Sequence, residues 1–312
     1  MTKKIPVIFD TDPGIDDAMA LIFLNACQRL EIKGVTTVFG NASLAQCTNN
    51  ALYLCERFSI DAPVHAGADK TIMGVPKDDF PTLVHGADGL ANINAAPESR
   101  QQGIEPASAF LIESAEEYAN ELVIIAVGRM TNLAVAIRES SEFVSNAKEV
   151  ILMGGAVSVP GNVTQWAEAN VFGDPEAADI LFASGIPLTL VGLDVTMKTI
   201  MKEQYIQDLA SRCGDAGHLL SQITPYYLNS YLGRTGVNGF ACHDSSAVAH
   251  AENPEIQEME TGTLSVVLKG EQRGRTVFMK DENGEGLHSL CTGVDAPKLL
   301  KTYHEYLVRT YG

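Results

Sequence analysis

Short apolar runs alternate with helix-forming segments along most of the chain, and this alternation limits the fold more than any other feature. The apolar runs contain many β-branched residues, as is typical of strands that are buried on both faces of a parallel sheet. We predict strands at residues 6–12, 32–40, 62–67, 121–128, 147–155 and 185–196. We predict helices at residues 15–30, 43–58, 131–140 and 174–185, with Ser43 as an N-cap and Gly185 as a C-cap.

This order of strands and helices predicts an α/β fold with an open, mainly parallel, doubly wound (Rossmann-like) sheet. Near the C-terminus, residues 261–270 and 274–280 indicate an antiparallel pair of strands, and a last helix is expected from about Ala296. No low-complexity linker or internal repeat divides the chain, so we expect one domain over residues 1–312. Two long irregular segments, 67–106 and 158–173, interrupt the pattern, and such loops often carry function.

The net charge of −17 makes nucleic acid and anionic membranes poor partners, so neither is expected to bind. No apolar stretch approaches the roughly 20 residues of a membrane span. The six cysteines are scattered, with no C-x-x-C pair, which favours buried free thiols over disulfides or a zinc site. We therefore expect a cytoplasmic protein.

Four aspartates follow the first predicted strand in the segment "VIFDTDPGIDD", at positions 10, 12, 16 and 17. Ligands of open α/β sheets bind outside the carboxyl ends of the strands, which is where Asp10 and Asp12 lie. Asp16 and Asp17 fall in the first turn of the next helix, where one acid alone is explained by the helix dipole. Four carboxylates at one strand end instead indicate a hard, oxygen-coordinated cation such as Ca²⁺ or Mg²⁺.

Polar residues also follow other predicted strands, and few of them are Lys or Arg. Amide and carboxylate groups without Lys or Arg suit a neutral polyhydroxyl ligand such as a sugar, whereas phosphate would call for cationic groups. Residues 160–179 could instead form a solvated connecting loop without a binding role. The His243–Asp244 pair could instead be a simple helix cap. The polar candidates at these strand ends are Asn41, Thr131, Asn132, Asn162, Glu168, Asn170, His243 and Asp244.

These segments resemble the nucleoside hydrolases, the inosine–uridine-preferring ribohydrolases. The resemblance is carried by "DTDPGIDD", by "FGN" at Asn41, by "VHGADGL" at His85, by "TNLA" at Thr131, by "GNVTQWAEANVFGDPEAA" and by "HD" at Asp244. The motifs span most of the chain in the order of the family. The resemblance implies hydrolysis of the N-glycosidic bond of ribonucleosides to ribose and free base.

The resemblance also implies a metal site and a general base. Asp12, Asp17, Asp244 and the backbone carbonyl of Thr131 would hold Ca²⁺. Asp12 would take a proton from a calcium-bound water, and Asp10 would orient its neighbours.

Further roles follow from the same resemblance. His243 would lie near the leaving base and protonate it, and His85 would belong to a mobile flap that closes over the site. Residues 223–239 would line the base pocket, with Tyr226, Tyr227, Tyr231, Arg234 and Thr235 as candidates. The residues expected to hold the ribose hydroxyls are Asp16, Asn41, Asn162, Glu168 and Asn170.

Two positions depart from the family pattern. Arg129–Met130 replaces the usual Pro-Leu before Thr131, and Ser245 replaces the usual proline after Asp244. Neither change removes a residue with an implied catalytic role, but an arginine so close to the site is unexpected.

Two other functions compete with this interpretation. Asp10 and Asp12 also form the Asp-x-Asp pair of haloacid dehalogenase-type phosphatases, although Pro13–Gly14 does not fit that motif. The second alternative is a calcium-dependent nucleoside-binding protein without turnover. The preference for purine or pyrimidine bases stays open, and a homodimer or homotetramer is expected for an enzyme of this size.

Overall fold

A central mixed sheet of nine strands organises the computed structural model, which describes residues 3–77 and 79–312. The strand order is β10-β9-β11-β6-β5-β4-β1-β2-β3, and β7 pairs with β8 in a separate two-stranded sheet. The strands are β1 (Ile5–Thr11), β2 (Leu30–Thr37), β3 (Val64–Ala66), β4 (Val123–Ala126), β5 (Glu149–Met153), β6 (Leu188–Val191), β7 (Ile200–Lys202), β8 (Gly239–Ala241), β9 (Gln257–Val266), β10 (Thr276–Lys280) and β11 (His288–Val294).

Helices cover both faces of this sheet. They are α1 (Ile15–Ala26), α2 (Leu44–Arg57), α3 (Thr82–His85), α4 (Ala107–Glu117), α5 (Thr131–Glu139), α6 (Ser141–Asn146), α7 (Ala169–Gly173), α8 (Pro175–Phe182), α9 (Leu193–Thr196), α10 (Glu203–Arg212), α11 (Gly214–Thr235), α12 (Asp244–Glu252) and α13 (Ala296–Tyr311). A short 3₁₀ helix, Pro254–Ile256, precedes β9.

Alternate residues of the central strands β1, β4 and β5 enter two different hydrophobic cores. Val7 and Phe9 of β1 pack with α1, α2, α11, α12 and α13 on one face, while Ile8 packs with α4, α5 and α8 on the other. The strands are therefore apolar on both faces, which explains their continuous apolar sequences.

The parallel, doubly wound sheet and its antiparallel C-terminal addition are confirmed. Strands β3 to β6 and β11 run parallel to β1, whereas β9 runs antiparallel to both β11 and β10. Ser43 caps α2 by accepting a hydrogen bond from the Gln46 amide at 3.3 Å.

The predicted end of α8 at Gly185 is wrong by two residues. The helix ends at Phe182 with Ala183 as its C-cap, and Gly185 lies in the following turn with φ of +92°. A left-handed glycine near a helix end therefore marked the chain reversal correctly, but it did not mark the cap itself.

All six cysteines are free and buried, as predicted. Within residues 3–77 and 79–312, no helix combines the length and apolar character needed to cross a bilayer.

Candidate active site

The turn between β1 and α1 brings the N-terminal aspartates together at the carboxyl edge of the sheet. Asp17, in the first turn of α1, accepts hydrogen bonds from the Thr11 hydroxyl at 2.5 Å and from the Gly14 amide at 2.9 Å. It also accepts one from the Asp12 amide at 3.2 Å. Asp17 thus caps its own helix and fixes the turn that carries Asp12.

A second turn, after β2, holds the same two carboxylates from the side. The Asn41 amide donates to Asp12 Oδ2 at 2.8 Å, and the Asn41 side chain donates to Asp17 Oδ2 at 2.9 Å. A Cβ on Gly40 would overlap Asp12 Oδ2, so this approach requires glycine. Gly14 is equally confined, since a Cβ there would lie 2.6 Å from His85 Nδ1.

Asp10 lies beneath the site and is fully buried. Its Oδ1 accepts hydrogen bonds from the Thr36 hydroxyl at 2.5 Å and the Asn132 amide group at 2.8 Å. Burial raises the pKa of Asp10 to about 6, although both hydrogen bonds oppose this shift. Because Asn132 also donates to the carbonyl of Thr37, Asp10 connects β1 with β2 and α5 under the site.

The acidic side chains converge on one point. Carboxylate oxygens of Asp16, Asp17 and Asp244 lie within 4.8 Å of one another, a spacing that could hold a metal ion. Among the described residues, the third carboxylate of this group is that of Asp16, whereas the predicted metal ligand was Asp12. Asp244 reaches it from the first turn of α12.

Electrostatics favour a cation in this acidic cluster. Burial raises the pKa of Asp12, Asp16, Asp17 and Asp244, and neighbouring carboxylates raise it further for all of these except Asp16. The Oδ1 atoms of Asp12 and Asp16 are buried without a hydrogen-bond partner in the described part of the chain. Oxygen donors that are buried, crowded and unpaired fit a hard divalent cation.

Thr131 is buried at the start of α5, as its predicted place at a strand end requires. Its hydroxyl donates to Asp174 Oδ2 at 2.7 Å, and Asp174 also accepts from the Ile72 amide at 2.7 Å. Asp174 is the N-cap of α8, so its carboxylate connects α5, α8 and the long early loop.

A cavity of about 370 Å³ opens above the acidic cluster. It is lined by every residue for which substrate contact was predicted, and by both residues of the His243–Asp244 pair. Besides Tyr231, the base-pocket candidates that line this cavity are Tyr227, Arg234 and Thr235. Tyr226 does not line it. The apolar part of its wall is formed by Pro81, Val84, Val127, Met153, Val163, Ala169 and Met197.

The predicted sugar-binding residues on the loop 158–173 surround one end of this cavity. Glu168 is buried and accepts hydrogen bonds from the amides of Asn170 at 2.9 Å and Gly155 at 2.8 Å. The Asn170 side chain donates to the carbonyl of Val127 at 2.7 Å, and Asn162 Oδ1 accepts from the Ala169 amide at 3.0 Å. These hydrogen bonds fix Glu168 and Asn170 along the cavity wall, while Asn162 remains exposed to solvent.

His243 lines the same cavity and is buried between two hydroxyl groups. Its Nδ1 shares a hydrogen bond with the Thr196 hydroxyl at 2.9 Å, and its Nε2 shares one with the Tyr231 hydroxyl. Burial lowers the pKa of His243 to about 4, so the ring is neutral near pH 7. Tyr231 and His243 therefore line the cavity as a hydrogen-bonded pair.

His85 closes the cavity from α3. Its Nδ1 accepts a hydrogen bond from the Ile15 amide at 3.1 Å, and burial lowers its pKa to about 4. The 3.8 Å approach to Asp16 is therefore not an ion pair near neutral pH. The prediction that this segment is mobile stays a prediction.

Comparison with known proteins agrees with this geometry. Residues 7–301 match the family model of the inosine-uridine preferring nucleoside hydrolases. The chain belongs to this family.

Relatives of this nucleoside hydrolase match along nearly their whole length. Uridine nucleosidase 1 of Arabidopsis thaliana is 39% identical over 279 residues, covering 88% of this chain and 82% of that protein. The solved structure of a plant nucleoside hydrolase, the PpNRh1 enzyme, superposes with a TM-score of 0.93 at 32% identity and covers 97% of this chain and 99% of that one. A purine-preferring ribonucleoside hydrolase from Gardnerella vaginalis also gives 0.93, at 30% identity over 98% and 99% of the two chains.

The protein is thus an enzyme that hydrolyses the N-glycosidic bond of ribonucleosides, and its family and fold are not those of a haloacid dehalogenase-type phosphatase. In this structure Asp12 lies beside the acidic cluster of Asp16, Asp17 and Asp244, whereas Asp10 lies beneath it and is bonded to Thr36 and Asn132.

Sequence reasoning missed several residues that shape the site of this nucleoside hydrolase. Thr196, the partner of His243, is the last residue of the strand predicted at 185–196, so its place at a strand end could have revealed it. Asp174 lies inside the segment "GNVTQWAEANVFGDPEAA" but was assigned no role. The confinement of Asp12 by Gly40 and of His85 by Gly14 depends on distances between loops, which the sequence does not contain.

Proposed function

We propose that Asp12 is the general base of this nucleoside hydrolase and that the acidic cluster binds Ca²⁺. The observation that supports this most is the convergence of the Asp16, Asp17 and Asp244 carboxylates beside a largely polar cavity. Asp12 and Asp16 each add a buried, unpaired Oδ1 atom in the described part of the chain.

The cation would be held by Asp12, Asp17, Asp244 and the carbonyl of Thr131. Ca²⁺ accepts six to eight oxygen ligands in flexible geometry, which suits a site that combines side-chain, backbone and sugar oxygens. When bound, it supplies positive charge that orients a water molecule and the ribose diol.

Asp12 is placed for proton transfer. The Asn41 amide fixes Oδ2, while Oδ1 has no partner in the described chain and is free to accept a proton. As a water oxygen bonds to C1′ of the ribose, its proton passes to Asp12 and the C1′–N bond to the base breaks.

Asp16, Asn41, Asn162, Glu168 and Asn170 would bind the ribose hydroxyls. Holding the sugar in a carboxylate-rich pocket favours the oxocarbenium-like transition state over the neutral ground state. A displacement of the sugar by about 1 Å would therefore cost rate as well as affinity.

The leaving base would depart toward Tyr231 and His243. Because the pKa of His243 is lowered to about 4, proton delivery would come from the neutral imidazole or from the Tyr231 hydroxyl bonded to it. The relatives include a uridine nucleosidase and a purine-preferring hydrolase, which differ in the base that their names give. A kinetic panel of uridine, cytidine, inosine and adenosine would determine the base preference of this enzyme.

Release of free ribose tests the metal assignment. Purified enzyme is incubated with uridine and inosine, and reducing sugar is measured before and after treatment with EDTA. We expect ribose release to stop with EDTA and to return on addition of Ca²⁺. Restoration by Mg²⁺ but not by Ca²⁺ would overturn the choice of cation, and unchanged turnover in EDTA would overturn the metal site.

Substitution Asp12→Asn tests the base. The amide keeps the size of the side chain and an oxygen for the Asn41 amide, so the fold should persist while kcat falls by about 10² or more. Asp61→Asn, at an exposed position, is the matched control. Near-normal kcat in the Asp12 variant would remove it from the role of base and would revive the interpretation that the site only binds nucleosides.

Three general expectations accompany this proposal. The continuous nine-stranded sheet supports one domain over residues 1–312. The six free cysteines support a reducing, cytoplasmic environment. A homodimer or homotetramer is proposed from the usual behaviour of enzymes of this size and is tested by light scattering.

A further inference from the structure

The arginine that replaces the usual proline before Thr131 is buried beside the active site. Arg129 is only 4% exposed, and its guanidinium carbon lies 4.3 Å from the centroid of the Phe39 ring. A Cβ on Gly173 would overlap the Arg129 side chain, so the guanidinium is packed tightly between this glycine and the aromatic ring. Such a stacked cation stabilises a fixed ring position.

Phe39 starts the turn that holds the proposed base. Two residues later, Asn41 donates its amide to Asp12 and its side chain to Asp17. The intervening Gly40 is packed against Asp12 so closely that a single added carbon would overlap it. Movement of the Phe39 ring would therefore be transmitted directly to the Asp12 carboxylate.

The guanidinium charge of Arg129 is buried among acidic groups. Its Nη1 is buried without a hydrogen bond in the described part of the chain. A buried guanidinium is costly unless nearby charge compensates it, and the nearest acidic groups include Asp12 and Asp174. The acidic cluster and Arg129 thus stabilise each other across the Phe39–Asn41 turn.

We propose that Arg129 is a positioning residue that acts through Phe39 and Asn41 to hold Asp12 in its reactive orientation. This inference rests on the proposed role of Asp12 as the base. Arg129 is not among the residues that line the cavity.

The test uses the purified full chain and three variants. Arg129→Met keeps an unbranched side chain, shorter than that of Arg, but removes the charge and the stacking. Phe39→Leu removes the ring. Gly173→Ala keeps the charge but displaces the guanidinium. Each should lower kcat for uridine or inosine about tenfold or more and raise KM by a smaller factor, because Asp12 moves while Asn41 is the one proposed sugar contact on the same turn.

A double-mutant cycle separates this route from a general loss of stability. If both residues act through one turn, the Arg129→Met and Phe39→Leu effects on kcat will be strongly non-additive. Arg129→Lys, which keeps the charge without the planar group, should recover part of kcat. Arg309→Met is the matched control, because Arg309 stacks on Tyr306 at 4.4 Å in α13, outside the cavity wall, and should affect only thermal stability.

The outcomes distinguish the inference from the proposal on which it rests. A folded Arg129→Met enzyme with kcat within about twofold of the parent, or an additive cycle, would overturn the positioning role. If Arg129→Met does not fold, unchanged kcat in both Phe39→Leu and Gly173→Ala overturns it instead. Normal kcat in Asp12→Asn would refute the proposed base whatever Arg129 does.

Discussion

His243 is buried with a pKa of about 4, so the leaving base cannot depend on a preformed imidazolium near pH 7. We predict that His243→Ala lowers kcat for inosine and uridine by about 10² or more, because their bases leave poorly without a proton. The same variant should hydrolyse p-nitrophenyl riboside at close to the parental kcat, because nitrophenolate departs without protonation. Equal losses on both kinds of substrate would show that His243 is needed for something other than proton delivery.

The individual site residues were predictable because each lies at the end of an apolar strand or within a recognised motif. Asp12, Asn41 and Asp244 all occupy such positions, and the cavity gathers the predicted sugar-binding residues. Their local constraints were not predictable. The neutrality of His243 follows from its burial between Thr196 and Tyr231, and the sequence does not say which hydroxyls meet that ring.

Helix α3 is held over the cavity by one hydrogen bond to α11, from the Tyr226 hydroxyl to the carbonyl of Thr82 at 2.8 Å. We predict that Tyr226→Phe raises KM for nucleosides about threefold to fivefold with little change in kcat, since one neutral hydrogen bond contributes about 1 kcal/mol. Tyr205→Phe is the matched control, because its hydroxyl donates to the carbonyl of Leu300 at 2.8 Å and does not line the cavity. Unchanged KM in the Tyr226 variant would mean that its packing and the hydrogen bond from Ile15 to His85 suffice to position α3.

Long, periodic elements were easier to predict than short ones. Strands β1 to β6 and helices such as α2 and α13 have continuous apolar or amphipathic patterns, and they were predicted, whereas the parallel strand β11 and helices α4 and α10 were not. Short helices α3, α7 and α9 have too few residues to show a period, because their conformation is set by tertiary contacts. These elements border the cavity, so the least predictable parts of the fold are those that shape substrate access.

Buried neutral histidines give the folded protein a defined dependence on pH. Burial lowers the pKa of His85, His243 and His250 to about 4 from an ordinary value near 6.5. Between about pH 4 and 6.5 the unfolded chain therefore binds more protons than the folded protein does. The contribution of the neutral histidines to the free energy of unfolding is complete above about pH 6.5 and is lost as the pH falls toward about 4.

His250 allows this effect to be measured away from the active site. It lies in α12, 3% exposed, with Nδ1 unpaired in the described chain, so a charge there would have no acceptor. We predict that the fall in the free energy of unfolding from pH 7.5 to pH 5 is smaller in His250→Leu by about 2 kcal/mol than in the parent. Urea unfolding at the two pH values gives this fall in the free energy of unfolding for each protein. A change in packing caused by the substitution acts equally at both pH values, so it cancels in the difference. His218→Leu, at an exposed position on α11, controls for the substitution itself. An equal fall in parent and His250 variant would show that His250 becomes protonated without cost in the folded state, through rearrangement or access of water.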